Sequence, residues 1–371
     1  MMINARTASV GVEQQLLLRT ATQSGGPSAA KRDGGSVPTC AELATVDRTD
    51  APDWDERLGE QIEANLYASQ PWGTYKTRLN WSVRRIEILS EKGLTLAYVQ
   101  YQVRRVGPAR FVLVQGCPVL TVLGTARAEA VLGALLDHLA LGRFDLLGVN
   151  FQEFQNNEMV PALLALGFVP VVSPRHHTLV VDLTTSLNAT LAGTNPNWRR
   201  SLTKAQNNPD LDAVILTDPA ERLRAFDKFT EMYVALQARK GFSNTLNPQA
   251  FRDIAASDPR LVILEVRERG ETIMVRITHR AQTRWTDLFA ASNGRGRATN
   301  AAGLSVWTLI EQAKAEGCPV YDLGGIDPAG NRSVFKFKRD LSRRVVQSTP
   351  LWLYGRTGAL RIAAATLLAQ R

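Results

Sequence analysis

Between Val320 and Gln347 the chain reads VYDLGGIDPAGNRSVFKFKRDLSRRVVQ. A short apolar run ends in Asp322 and the pair Gly324–Gly325, which strip side chains from a strand end so that backbone can bend or meet a substrate closely. A turn, Asp327 to Asn331, follows. Six basic residues and one acid then lie between Arg332 and Arg344. Read as an extended segment, the tract puts Phe335 and Phe337 on one face and Lys336 and Lys338 on the other. The rings would anchor it, and the lysines would hold negative charge in a groove. The same pattern fits two core phenylalanines beside a solvated charged edge that blocks sheet association.

Other cations stand in suggestive settings. Lys76 lies among aromatics in PWGTYKTRLNW, with Trp72, Tyr75 and Trp81 around it, which by itself fits a surface lysine near a Trp-rich core. Arg199, Arg200 and Lys204 share one helical face that would suit RNA phosphates or simply face water. Arg239 closes a helix, where a cation complements the dipole. Asp322 is a candidate base by position; the structural alternative is a carboxylate that accepts hydrogen bonds from a loop. Cys40, Cys117 and Cys318 are far apart, and the four histidines, including adjacent His176 and His177, have no metal-ligand spacing. The expectation is no metal site, no disulfide framework and a reducing compartment, read as cytoplasmic.

The elements that must position these residues fill a chain of 371 residues, 44% hydrophobic, with a net charge of +9. That length suits about two domains, and the charge favours polyanionic partners. No run of eighteen apolar residues occurs. Residues 1–50 are polar and Gly-rich and read as a disordered tail. Two segments then look alike. RRIEILSEKGLTLAYVQYQVRR and RLVILEVRERGETIMVRITHR each read as strand, turn, strand. Each is followed by another strand, an amphipathic helix and a buried strand. Gly270 lies 177 residues after Gly93, and Asp322 lies 177 after Asp145. The shared offset predicts two similar α/β domains in tandem, residues 51–184 and 185–357, with His177–Leu183 as the last strand of the first. A C-terminal helix is expected over 358–371, with Leu360, Ala363, Ala364, Leu367 and Leu368 on one face, packed on the protein or resting weakly on an inner-membrane surface.

This element order, and three stretches of sequence, resemble the FemABX peptidyltransferases, which are twin GNAT-like acyltransferase domains. The stretches are ASQPWGTYKTRLNW, NWRRSLTKAQNN followed by MYVALQARKGF, and YDLGGIDP with VFKFKRDL. Leu341 and Ser342 depart from the family pattern, and no coiled-coil arm is inserted. The resemblance implies an α/β fold of tandem GNAT-like domains with mixed sheets. It implies an aminoacyl group moved from aminoacyl-tRNA to an amine of a peptidoglycan precursor or related acceptor, without a resident cofactor. On this likeness Lys338 becomes the charge that stabilises the tetrahedral oxyanion, or a donor-phosphate contact. Lys76, Trp72, Lys336, Arg199, Arg239, Gly324 and Gly325 become substrate-binding residues, with Lys76 toward an acceptor diphosphate.

Two other functions compete. An acyl-CoA-dependent N-acyltransferase would need a Gly-rich pyrophosphate loop, and SNGRGRATNAAG lacks the spacing for one. A non-enzymatic nucleic-acid or membrane-surface protein fits the charge, but the aromatics sit in apolar strand contexts rather than base-stacking patterns.

Overall fold

The computed structural model describes residues 43–59, 61, 64–151, 159–172, 177–240, 247–347 and 349–369. Most of the expected tail, together with Cys40, His176, residues 241–246 and Arg371, lies outside the described residues. Among the described residues no helix is long and apolar enough to cross a membrane.

The first sheet contains β1 (Ala44–Asp47), β2 (Ser82–Leu89), β3 (Thr95–Val106), β4 (Ala109–Gln115), β5 (Val119–Leu120), β6 (Leu146–Asn150) and β7 (Val169–Pro170). Helices α1 (Trp54–Gly59), α2 (Gln70–Arg78), α3 (Val122–Thr125), α4 (Ala128–Leu139) and α5 (Met159–Ala165) are interleaved with them. Then come β8 (His177–Asp182), α6 (Leu187–Ala192), α7 (Pro196–Gln206), β9 (Leu211–Leu216), α8 (Pro219–Lys240) and α9 (Pro248–Ser257). They are followed by β10 (Leu261–Glu268), β11 (Glu271–Arg280), β12 (Trp285–Ser292), α10 (Gly294–Ala298), α11 (Ala301–Ala315) and β13 (Val320–Gly325). The chain closes with α12 (Arg332–Leu341), β14 (Val345–Gln347), β15 (Trp352–Tyr354) and α13 (Gly358–Ala369).

The repeat inferred from the offset of 177 is present. The first sheet runs β1-β2-β3-β4-β6-β15-β7, and the second, in matching order, β9-β10-β11-β12-β13-β8-β14. In each the central pair, β4 with β6 and β12 with β13, is parallel and its neighbours are antiparallel. Gly93 and Gly270 both adopt the left-handed φ, +74° and +86°, that their hairpins require. The likeness reaches buried side chains: Glu87 accepts from the Thr95 hydroxyl on the neighbouring strand, and Glu265 accepts from that of Thr272.

Three expectations need correction. β8 does not close the first sheet; it pairs with β13 and β14 in the second. In return β15, from the end of the chain, lies between β6 and β7 of the first. The two halves thus exchange their equivalent strands, and a boundary at 184 cuts a strand away from its sheet. Residues 44–47, placed in the tail, form edge strand β1 against β2. Residues 332–341 form a helix and not an extended segment. Val334, Phe337, Lys338 and Leu341 recur at helical spacing on the inner side, while Arg332, Ser333, Lys336 and Arg339 are exposed. The separation of Phe335 and Phe337 from both lysines therefore does not hold.

Alternation along the second sheet creates two packed faces. Val262, Leu264, Val266 and Leu323 pack with Trp198, Trp307 and Ile310 of α7 and α11, and Phe335 and Phe337 of α12 pack there too. Leu261, Ile263, Val275 and Ile277 face Phe226, Phe229 and Phe251 of α8 and α9. Trp72 and Tyr75 of α2, from the first half, join this second face. The ring of His279 fixes that docking: buried and drawn down to about 3 by its burial and by Arg284, it stays neutral, and its Nε2 accepts the Leu66 N–H at 3.0 Å.

Candidate active site

The two parallel strand pairs differ. In the first sheet β4 and β6 stay in register from Phe111 with Leu146 to Gln115 with Asn150. In the second, β12 and β13 pair only at Trp285 with Tyr321 and Thr286 with Asp322, and then diverge. Gly324 sits at the point of divergence with φ +75°. A Cβ there would stand 2.8 Å from the Asp287 carbonyl oxygen and 3.5 Å from Lys338 Nζ. At Gly325 a Cβ would meet nothing within 4 Å.

Lys338 reaches this opening from α12. Its Nζ donates to the carbonyls of Gly324, 3.0 Å, and Gly325, 2.8 Å. An ammonium has three donors, so one is left over from these two bonds. Burial holds the Lys338 pKa below its ordinary value, partly offset by Asp287. Asp322, buried, accepts from the Thr178 hydroxyl and from the Gly324 N–H at 2.8 Å. Burial raises its pKa, and these hydrogen bonds, with Arg284 and Lys338, oppose the rise. Beside it Asp287 forms a buried ion pair with Arg276 and accepts from Tyr321 Oη at 2.7 Å and Thr278 Oγ1 at 3.0 Å. The strand end is thus held by charge-assisted hydrogen bonds on both sides.

A cavity lies on each face of the second sheet. One, of about 410 Å³, is bounded by α7, the β12–α11 connection and α12, with Trp198, Arg297, Asn300 and Lys336 in its wall. The Trp198 indole N–H has no partner among the described residues. The other, about 510 Å³, lies between α2, the ends of β3 and β4, α9 and Leu288–Phe289 of β12, the two residues after Asp287. Here Lys76 Nζ stands 5.1 Å from the Trp72 ring and 5.8 Å from that of Trp81, with the Arg104 guanidinium 4.4 Å from Trp81. Cation–π contacts hold both cations. Burial, reinforced by Arg104, pulls Lys76 down to about 8. Among the described residues no carboxylate lines this cavity. Trp72 Nε1 and Gln115 Oε1 in its wall are buried and unpartnered among the described residues. Two cations, a donor and an acceptor suit an anionic ligand with an amide-like group.

The expected residues therefore fall into groups. Lys338, Asp322, Gly324 and Gly325 meet at the strand opening. Lys76 and Trp72 line the cavity on one face. Lys336 borders the other cavity and pairs with Asp340 at 2.5 Å. Arg199 donates to the Leu191 and Ala192 carbonyls, 3.3 and 3.2 Å, at the end of α6. Arg239 borders a separate cavity with Lys228, Glu231 and Arg297. Sequence reasoning missed Arg104, Gln115, Arg276 and Asp287. The signal for the last two was charge inside strands of buried character, which demands a partner. Arg104 and Gln115 reach the site only through strand pairing. Among the described residues no cluster of His, Cys, Asp or Glu could hold a metal.

Residues 194–339 match the acetyltransferase (GNAT) domain family. Together with the tandem sheets, this defines an acyltransferase of the GNAT type whose family-matched domain carries the divergent strands. Among solved structures the fold is similar to that of FemX, with TM-score 0.68 and 13% identity over 84% of this chain and 98% of that one. It is also similar to the C-terminal domain (DUF2156) of a putative lysylphosphatidylglycerol synthetase from Agrobacterium fabrum, TM-score 0.54, 12% identity, covering 85% and 97%. L-PGS from Bacillus licheniformis gives TM-score 0.53 and 14% identity over 87% and 98%. These likenesses are of fold. No curated protein matches the chain in sequence.

Proposed function

We propose that the protein transfers an aminoacyl group from aminoacyl-tRNA to an amine of a phosphate-bearing cell-envelope acceptor, a peptidoglycan precursor or a lipid-linked relative. The observation that carries this reading is the Lys76–Arg104 cavity. Among the described residues it offers two cations and no acid, on one face of the sheet whose strands part beside Lys338. The acceptor's phosphate binds at Lys76 and Arg104, and the donor enters from the α7–α12 face. The neutral amine attacks the ester carbonyl. The C–N bond forms, the C–O bond to the tRNA ribose breaks, and the proton lost by the amine is matched by one gained at the ribose oxygen. Lys338 supplies the fixed positive charge near the oxyanion. Asp322 is a positioning residue that holds the strand end. Lys336 borders the donor side. Charged tRNA places this reaction in the cytoplasm.

An acyl-CoA donor is disfavoured by the β12–α11 connection. Arg295 there is paired with Glu268, Arg297 donates to the Ser292 carbonyl, and Asn293 caps α10. The likeness in fold to FemX and to lysylphosphatidylglycerol synthetases supports aminoacyl transfer to an envelope acceptor. The test supplies purified protein with radiolabelled aminoacyl-tRNA or acetyl-CoA, and with peptidoglycan precursors as acceptors. Label passing to a precursor from the charged tRNA alone is expected. Transfer only from acetyl-CoA would overturn the donor assignment.

A further inference from the structure

We propose that the outer face of α13 seats the protein on an anionic membrane surface. The helix is apolar on both sides. Ala364, Ala365 and Leu368 pack inward with Val169, Val171, Leu353 and Phe111. Ala359, Ile362, Ala363, Thr366 and Leu367, at i, i+3, i+4, i+7 and i+8, are exposed and carry no charge. Ala363 and Leu367 therefore leave the packing face on which the sequence pattern put them. A surface helix normally turns a polar face outward. Ile362 and Leu367 are instead 58% and 57% exposed.

The apolar surface extends beyond the helix. Phe144, Leu164 and Val172 are also more than half exposed. Gly167, just past Leu164, has its Cβ position 3.2 Å from Arg361 Nη1. Thr357, immediately before α13, donates to the Arg143 carbonyl next to Phe144 at 2.9 Å. Patches of this kind mark interaction sites.

Charge selects the occupant. Residues 159–172 carry no charge, and residues 349–369 carry Arg356 and Arg361 but no acid. Arg143 lies exposed over the Phe144 ring at 4.7 Å. A second copy docked about a twofold axis would set these arginines against one another. Lipid phosphates and acyl chains complement both the cations and the apolar stripe. The packing beneath α13 also reaches the wall of the candidate acceptor cavity. Phe111, packed beneath α13, has its ring 6.1 Å from Trp81, which Lys76 and Arg104 overlie. A membrane-held acceptor would thus meet the cavity beside the surface that holds the protein. That last step rests on the function proposed above; binding to lipid does not.

Flotation of the full chain with vesicles tests the proposal, using phosphatidylcholine alone and an equal mixture with phosphatidylglycerol. Binding is expected to the mixture, weakening as salt rises. The double variant I362D/L367D should lower the partition coefficient by about tenfold or more. Its circular dichroism and transfer to a water-soluble acceptor should be unchanged. Arg143→Glu should weaken binding to the mixed vesicles. Equal binding to both vesicle types, or binding unaffected by I362D/L367D, overturns the proposal. So does a self-associating chain that I362D/L367D converts to monomers without any vesicle binding. Because flotation needs no donor, failure of the aminoacyl-transfer reading would leave this result standing.

Discussion

A methyl group on Gly324 would stand 2.8 Å from the carbonyl oxygen of Asp287, backbone against backbone. Neither atom can swing aside as a side chain could. The left-handed φ of +75° adds strain for any L residue. Gly324→Ala should therefore lower stability by about 3 kcal/mol and sharply reduce transfer, since the parted strands lose their geometry. Gly325→Ala, with open space at its Cβ, should change stability little. Urea denaturation of both variants checks the contrast. Equal behaviour of the two glycines would remove the steric account of the strand opening.

Lys338 and Lys336 make a second contrast on one helix. Lys338 holds two carbonyls from a half-buried position, whereas Lys336 pairs with Asp340 on the surface, its side chain 66% exposed. Lys338→Ala should cost about 2 kcal/mol of stability through two lost charge-assisted bonds. It should also lower turnover roughly a hundredfold. Lys336→Ala should cost less than about 1 kcal/mol, as exposed ion pairs do. The decisive reading is turnover measured well below the variant's melting temperature. Near-normal turnover there would make Lys338 a strand clamp with no part in charge stabilisation.

These contrasts mark where the sequence was legible. The hairpins, the helix after the third strand and the YDLGG strand follow from local apolar periods and turn glycines, and the common offset exposed the repeat. Lys76 and its rings could be read because Trp72 and Trp81 lie within a few residues of it. Arg104 and Gln115 could not, because only pairing within the first sheet brings the ends of β3 and β4 to the cavity. HTLVVD reads as a strand from its β-branched residues, but nothing in those six residues chooses a sheet. The tract at 335–338 is short enough to fit a period of two, and only Val334 and Leu341 beyond it reveal the helical spacing. Arg199 lies on an exposed-looking basic face, and its bonds to the end of α6 depend on a fold-specific approach.

The exchange of β8 and β15 predicts interdependent halves. Without β15 the first sheet loses the strand between β6 and β7. Without β8 the second loses the strand between β13 and β14. Fragments 43–184 and 185–371 should each fail to show a cooperative thermal transition, and mixing them during refolding should restore one. The intact chain should unfold in a single transition by calorimetry. An independently folding 43–184 fragment would show that the exchanged strand is dispensable.

Lys76 gives the site a pH signature. Its pKa falls from 10.5 to about 8 through burial and the neighbouring Arg104. Below about 8 it is charged and ready for an anion; above, the cavity keeps only Arg104. Affinity for inorganic pyrophosphate should therefore fall as pH rises from 7 to 9, and binding above pH 8 should take up a proton, seen as a buffer-dependent enthalpy in titration calorimetry. Lys76→Arg should bind without this pH dependence, and Lys76→Met should bind weakly throughout. The stability consequence has the opposite sense. Between about 8 and 10.5 the unfolded chain holds a proton that the folded chain has released, so this residue's contribution to stability rises with pH across that window. Relative to Lys76→Met, the wild type should gain stability from pH 8 to pH 10 in urea denaturation. A flat difference, together with pyrophosphate affinity that ignores pH, would mean that Lys76 keeps an ordinary pKa in open solvent and that the cavity is not the anion site.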